Sequence, residues 1–418
     1  MKPGKAPHAF LAAYGGGHIA MVLPLCRALR DCGWRVTLLA LTTAAAKANA
    51  AREPHIGFAD LMHHADAGAG TYARELCPDP DPNGPVSVEE TLAYHGASFA
   101  DLVRRLGEPT ARQLWAKHRR QAFLPVGFMT RVLAQHAPDV VIATNSPRSE
   151  QAIILAAGQL GIPALCVVDL FALQEVKWIG QPGFAQRIAV LNEAVRAMMI
   201  GHGRKPEEVV VTGNPALDTV DARETAEAGQ ALRLARNWND GRLTLLWAST
   251  VEPDRHPFTG QVGDPSLPRR VEATLRAVVR GDDRLRLVVR YHPSEQIEFV
   301  PAERVELSPV SEPLHPLLHA VDLVAITAST VGLEAWLAGR PLLSVDNSVF
   351  TADAPYAKMG ISVGVDSPEA LANLVKDMAG KPPASLLPGQ APPPSRETTA
   401  TEAVVAEIRK IVEMRRSH

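Results

Sequence analysis

Side chains able to do chemistry stand at several places where an apolar run stops and a new segment begins. The first is Tyr14-Gly15-Gly16-Gly17-His18-Ile19. Glycines at a strand-to-helix turn let the backbone approach a ligand, and the helix that follows brings partial positive charge to the same point. Gly16 and Gly17 are therefore candidate ligand-contacting positions. His18 is a candidate general base for a hydroxyl or a water; a histidine that merely packs the turn is the bland reading. The pattern is not GxGxxG, and no acidic residue closes the second strand, which argues against a nicotinamide dinucleotide site. The second place is Tyr291-His292-Pro293-Ser294, where the proline stops a strand and His292 and Ser294 could donate to phosphate oxygens. The third is Thr327-Ala328-Ser329-Thr330-Val331-Gly332-Leu333-Glu334. Here Ser329 or Thr330 can cap a helix, Gly332 leaves room for an anion, and Glu334 can accept from ribose hydroxyls. Ser249-Thr250 is a fourth, weaker candidate. Asp169, at another strand end, is the one carboxylate suited to orient His18.

These positions need a scaffold that collects strand ends. Apolar runs at 9–14, 36–41, 139–144, 162–171, 187–193 and 209–213 alternate with helical stretches. A second series follows at 243–250, 285–293, 323–327, 341–346 and 361–365. Several runs are apolar throughout, as strands buried on both faces of a parallel sheet must be. The pattern predicts an α/β protein of two doubly wound domains. Gly213-Asn214-Pro215 marks the junction, giving an N-terminal domain over 1–213, a second over 214–395 and a final helix over 396–418. Residues 381–395 are Pro-rich and predict a linker. Thr399 to Glu402 forms a capping box ahead of a stripe of Val404, Val405, Ile408, Ile411 and Val412, which must dock to avoid water.

Residues 52–125 break the alternation. They carry five histidines and then a basic stretch, expected as one helix over about 101–121, with six Arg/Lys within 104–120. Leu102, Val103, Leu106, Leu114 and Phe123 are its expected buried stripe. Cations clustered this way favour an anionic partner, such as a phosphorylated glycan, a lipid-linked intermediate or a weak peripheral contact with an anionic membrane; a solvated helix face is the bland reading.

Composition narrows the classes further. With 43 Lys and Arg against 45 Asp and Glu, the net charge of −2 argues against a general nucleic-acid binder. No apolar run reaches the roughly 18–20 residues of a membrane helix. The short run at 9–14, broken by glycines, is a strand entering a loop rather than a signal peptide. Four cysteines without CxxC spacing predict reduced thiols and a cytoplasmic protein. No His/Cys cluster suggests a metal, and no cofactor is expected.

The segment GGGHIAMVLPLCRALRDCGWRVTLLALTT resembles the G-H-x-x-P-x-x-x-L-A-x-x-L-x-x-x-G-H-x-V-T stretch of UDP-glycosyltransferases of the GT-B superfamily. GNPALD (213–218) resembles the G-N-P-V segment of bacterial UDP-N-acetylglucosamine transferases and its counterpart in UDP-N-acetylglucosamine 2-epimerases. EAWLAGRP, with Glu334, Gly339 and Pro341, resembles their shared E-x-x-x-x-G-x-P. The resemblance implies two Rossmann-like domains facing a cleft and a last helix packing back on the N-terminal domain. It also implies a nucleotide sugar, most readily a UDP-sugar, on the C-terminal domain, with Glu334 on its ribose. The activity implied is metal-independent transfer of a sugar to a hydroxyl of a glycan, lipid-linked or small-molecule acceptor held by the N-terminal domain. An epimerase or sugar-nucleotide hydrolase, and a non-catalytic nucleotide-sugar binder, are the alternatives. The chain departs from these families in places. Thr327 stands where a plant-type His–Cys–Gly–Trp box would have its His, and Val168-Asp169-Leu170-Phe171 replaces the epimerase H-x-E-A-G-x-R. The HP turn and S-T loop also resemble bacterial sialyltransferases and capsule polymer transferases, whose donors include CMP-sugars, but their acidic D/E-D/E-G motif has no counterpart in the N-terminal half.

Overall fold

The computed structural model describes residues 6–380, 387–393 and 397–416. The chain forms two compact units, one running up to Leu217 and including the stretch from Thr398 onward, the other spanning Asp218–Glu397. The first unit holds β1 (His8–Ala13), β2 (Arg35–Ala40), β3 (Val140–Thr144), β4 (Ala164–Val167), β5 (Arg187–Val190) and β6 (Val209–Val211). They form one sheet in the order β2-β1-β3-β4-β5-β6, with every pairing parallel. The second unit holds β7 (Leu243–Ala248), β8 (Leu285–Arg290), β9 (Val305–Leu307), β10 (Leu323–Ile326), β11 (Leu342–Val345) and β12 (Val363–Val365). Their order is β12-β11-β10-β7-β8-β9, again all parallel.

The apolar runs become strands because helices cover both faces of each sheet, so every side chain of β1 and of β7 is buried. Strand β9 is the one the sequence pattern misses. Three residues with a central Glu306 carry no apolar run, and the segment is extended because it pairs with β8, Leu287 opposite Val305. In the first sheet the chain leaves β1 for β2 on one side and reaches β3 on the other. In the second it leaves β7 for β8 and later returns to β10. Each such reversal opens a crevice beyond the carboxyl ends of the strands, where ligands of open α/β sheets bind.

The helix Ala400–Arg416 completes the first unit. The Thr399 N–H donates to Glu402 Oε2 and the Glu402 N–H returns to Thr399 Oγ1, the expected reciprocal cap. Val404, Val405, Ile408, Ile411 and Val412 are buried in the same core as Leu11, Ile19, Leu25 and Leu29. Of the linker expected at 381–395, residues 387–393 are described and form neither helix nor strand, while 381–386 and 394–395 lie outside the described residues.

The 52–125 insertion folds as a helical cap on the first unit, with a correction. The basic stretch is not one helix: Val88–Leu106 ends at Gly107, and a second helix, Glu108–His118, starts immediately. Gly107 takes φ +78°, which a glycine tolerates, and Pro109 sits in the first turn of the new helix, where its missing N–H costs nothing. Of the expected stripe, Leu102 and Phe123 are buried, but Leu106 is exposed. The break turns Leu106 outward, and the core is made instead by Phe58 stacked on Phe128 and Trp115 stacked on Phe123.

Candidate functional site

The glycine loop after β1 is shaped by two constraints. A Cβ on Gly15 would fall 1.8 Å from Thr43 Oγ1, so only glycine lets the two segments pass. Gly16 takes φ +71° and caps the helix Gly17–Asp31 without a side-chain hydrogen bond. Gly16 and Gly17 are exposed, and Lys47 Nζ donates to the Gly16 carbonyl at 2.8 Å. A lysine thus stands beside the loop, brought by a helix that carries no motif.

His18 lies in the first turn of that helix, with 21% of its side chain exposed. Its Nε2 stands 3.8 Å from Asp169 Oδ2, beyond a hydrogen bond but within ion-pair range. Asp169 is held rigidly. Its Oδ1 accepts from Asn145 Nδ2 at 2.9 Å and from the Leu170 N–H at 2.8 Å, while its own N–H donates to Asn145 Oδ1. Asn214 Nδ2 donates to the Asp169 carbonyl at 2.6 Å, which ties the loop after β6 to the end of β4. One carboxylate oxygen is thereby fixed and the other left facing the imidazole. The structure brings together the two residues singled out in sequence, from the ends of β1 and β4.

Two further carboxyl groups stand near this pair. Glu150 is wholly buried; its Oε1 accepts from the Tyr14 N–H at 2.9 Å and from the Thr144 hydroxyl. Burial pushes its pKa above the ordinary value, and the nearby His18 works against that rise. Burial and the charge of Asp169 also raise Glu175. Nothing in the sequence marked Glu150, because a helix-start glutamate is normally a surface residue; only its fold position buries it. The raised pKa sets a sign. The folded chain binds the Glu150 proton more tightly than the unfolded chain, so stability from this group is full below 4.5 and is lost as pH rises from there through the folded-state value. Glu150→Gln should therefore gain on the wild type with rising pH. Melting temperatures compared at about pH 5 and about pH 8 check this, and a wild-type-to-variant difference that does not move with pH would refute it.

In the second unit the expected donor-binding residues gather at the carboxyl ends of three neighbouring strands. Ser249 and Thr250 follow β7, His292 and Ser294 follow β8, and Ser329 to Glu334 follow β10. Their availability differs. The Ser249 hydroxyl donates to Glu295 Oε1 at 3.0 Å and accepts from Arg269 Nη2 at 2.6 Å, so it builds the loop rather than facing a ligand. Glu295 also accepts from the His292 N–H, and His292 Nδ1 accepts from the Ser294 N–H. That network holds the HP turn and leaves both side chains exposed. The Thr250 hydroxyl is enclosed without a partner among the described residues. Ser329 is buried; its Oγ accepts from the Val331 N–H and its carbonyl from Gly332 N–H and Tyr356 O–H. Thr330 is exposed.

Gly332 has a packing reason to be glycine: a Cβ there would lie 2.3 Å from Ile326 Cδ1, so the residue makes room for the strand beneath it. Glu334 is 15% exposed, and His315 Nε2 donates to its Oε2 at 2.9 Å. His315 Nδ1 meets Thr219 Oγ1 at 3.1 Å, so a chain from Thr219 through His315 orients the carboxylate. His315 carries no motif, and nothing in the sequence singles it out.

Half of the basic stretch of the insertion is neutralised. Arg104 pairs with Asp66, Arg105 with Asp101, and Arg112 with Glu75 and Glu108. No carboxylate pairs with Lys117, Arg119 or Arg120 among the described residues. Among the described residues no group of three or more His, Cys, Asp or Glu is placed to hold a metal ion, and no helix is long and apolar enough to cross a membrane.

Two reversing parallel sheets, with a last helix returning to the first, match solved structures over almost the whole chain. A Listeria monocytogenes protein assigned as a UDP-N-acetylglucosamine 2-epimerase aligns with TM-score 0.59 at 16% identity, covering 98% of each chain. The Staphylococcus aureus MnaA–UDP complex aligns at 0.57 and 13%, covering 97% of each. The Neisseria meningitidis UDP-GlcNAc 2-epimerase bound to UDP-GlcNAc aligns at 0.56 and 12%, covering 96% of this chain and 100% of that one. The chain has the GT-B fold. No protein-family model matches it, and no curated protein matches it in sequence. Within the GT-B frame, the glycine loop and Asp169 are strand-end features of the first unit, and Glu334 is one of the second.

Proposed function

We propose that the protein is a UDP-sugar-dependent glycosyltransferase in which His18 is the general base and Asp169 its supporting carboxylate. The observation that carries this reading is the facing of His18 Nε2 and Asp169 Oδ2 at 3.8 Å, with Asp169 Oδ1 fixed from behind by Asn145. An acceptor hydroxyl donates its proton to Nε2 while its oxygen bonds to the anomeric carbon. The bond from that carbon to the diphosphate breaks, and UDP leaves as an anion. The imidazolium so formed finds Asp169 Oδ2 already in ion-pair range, which favours proton uptake in the transition state. Glu334, oriented by His315, accepts from the ribose hydroxyls. UDP and UDP-GlcNAc in the solved neighbours support uracil as the base.

If Glu334 holds the ribose, Glu334→Gln and His315→Ala should each weaken UDP binding by about tenfold, the loss of a charge-assisted hydrogen bond and of its orientation. Calorimetric titration with UDP measures this. Unchanged affinity in both variants would remove the ribose assignment.

A second reading rests on the neighbours themselves, most of which are 2-epimerases, and on the carboxyl groups of Glu150 and Glu175 near His18. One experiment separates the two. The protein is incubated with UDP-sugars in deuterated water without acceptor and then with a panel of hydroxyl acceptors. Sugar transferred only when acceptor is present supports the transferase. Deuterium entering the sugar at C2 without acceptor would overturn it in favour of epimerisation, and free sugar released at speed would favour hydrolysis.

A further inference from the structure

The first unit contains a cavity that the His18–Asp169 pair does not use. It opens to solvent between the end of β1, the helix Val88–Leu106 and the start of the helix Ser149–Gln159, and has a volume of about 60 Å³. One wall is aromatic, formed by Tyr14, Phe58 and Tyr94. Arg120 and Arg148 also line it, and neither has a carboxylate partner among the described residues. Arg148 instead lies 5.6 Å over the Tyr14 ring. The one carboxylate in the wall, Glu90, is spent on the backbone: its oxygens accept from the Phe58 and Ala59 N–H groups at 2.8 and 2.9 Å. Two cations thus face a cavity with no anion to answer them.

Backbone strain gathers at the same place. Thr42 and Arg148, both lining the cavity, take φ +52° and +71°. Side chains rarely adopt that region, least of all a β-branched threonine, and residues held there cluster at ligand clamps. The Thr42 hydroxyl is enclosed with no partner among the described residues, which is the mark of a group waiting for one. The cavity also adjoins the proposed chemistry. Tyr14 leads directly into the glycine loop, and its N–H is bonded to Glu150, whose charge is coupled to His18.

We propose that this cavity binds the acceptor, and that the acceptor is a small hydroxylated ring compound carrying one carboxylate or phosphate. Arg120 and Arg148 hold the anionic group, Tyr14 and Tyr94 pack on the ring, and Thr42 takes a polar substituent. Aromatic faces and two guanidinium groups without carboxylate partners select for this combination, because stacking rewards the ring while an anion answers both cations. The role as acceptor rests on the transferase reading; binding of the anionic ring does not.

The test is calorimetric titration of the full-length chain with 4-hydroxycinnamate, 4-hydroxyphenyl phosphate and the uncharged methyl 4-hydroxycinnamate. At least one of the two anions should bind, and which one does distinguishes carboxylate from phosphate. The methyl ester should bind roughly tenfold or more weakly than the acid if the carboxylate is the group recognised. Arg120→Met and Arg148→Met should each weaken the bound anion by about tenfold while leaving UDP affinity intact. Arg120 is exposed and unpaired, so its variant keeps the proposal testable if the strained Arg148 position misfolds. Failure of both anions to bind at millimolar concentration overturns the proposal, as does wild-type affinity in a folded Arg120→Met. Anion binding without sugar transfer to it from any UDP-sugar keeps the cavity's assignment and defeats the transferase. Transfer to neutral acceptors undiminished in both variants does the reverse.

Discussion

Replacing His18 by alanine lowers the rate of sugar transfer by about 10²–10⁴-fold, the range that a positioned general base contributes. The loss falls on kcat, because the residue acts on a proton that moves only in the transition state. UDP affinity should stay at the wild-type value. Asp169→Asn should fall between the two: the asparagine can still accept from Asn145 and Leu170, so the loop keeps its shape, but the charge that supports the imidazolium is gone. A loss of at least tenfold in kcat is expected. Steady-state kinetics over a range of acceptor concentrations measure both. A change below roughly threefold in His18→Ala would mean that another group takes the proton.

The second large effect is structural. Ile408 is fully buried on the helix Ala400–Arg416, in the core it shares with Leu11, Ile19 and Leu25. Ile408→Asp removes a whole apolar side chain and places an unpaired carboxylate there. The expected cost is about 4 kcal/mol or more, a large part of the roughly 5–15 kcal/mol that holds a domain together. The first unit should lose its cooperative urea transition or unfold outright. Met414→Asp on the exposed side of the same helix serves as the control, with a change within about 0.5 kcal/mol. If Ile408→Asp melts like the wild type, the helix is not part of the core that maintains the first unit.

Much of the architecture could be read from the chain because two-sided burial leaves a direct trace. A strand such as LTLLWA, apolar on both faces apart from one threonine, fits a sheet covered by helices on either side, and the runs read from the sequence fall on eleven of the twelve strands among the described residues. The twelfth, Val305–Leu307, owes its shape to its neighbour β8, and a pairing partner writes nothing into three residues. The basic stretch shows the opposite failure. Its charges are evident, but whether they face solvent or carboxylates depends on Asp66 and Glu75, which only the folded cap brings within reach.

At the site, residue type and place at a strand end marked His18, Asp169 and Glu334, because parallel sheets collect strand ends at one edge and polar groups there are conspicuous. Which of them meet, and through what, was decided by the tertiary structure. Asn145 and His315 fix the two carboxylates across the fold, and neither lies in a motif. Ser249 and Gly332 sit in motifs yet serve the scaffold, one bonded to Glu295 and the other yielding space to Ile326. The physical reason is the same in each case. Hydrophobic burial is a property of a residue and its near neighbours along the chain, so its period survives in the sequence. A hydrogen bond or a void is a property of two residues that only the completed packing places side by side.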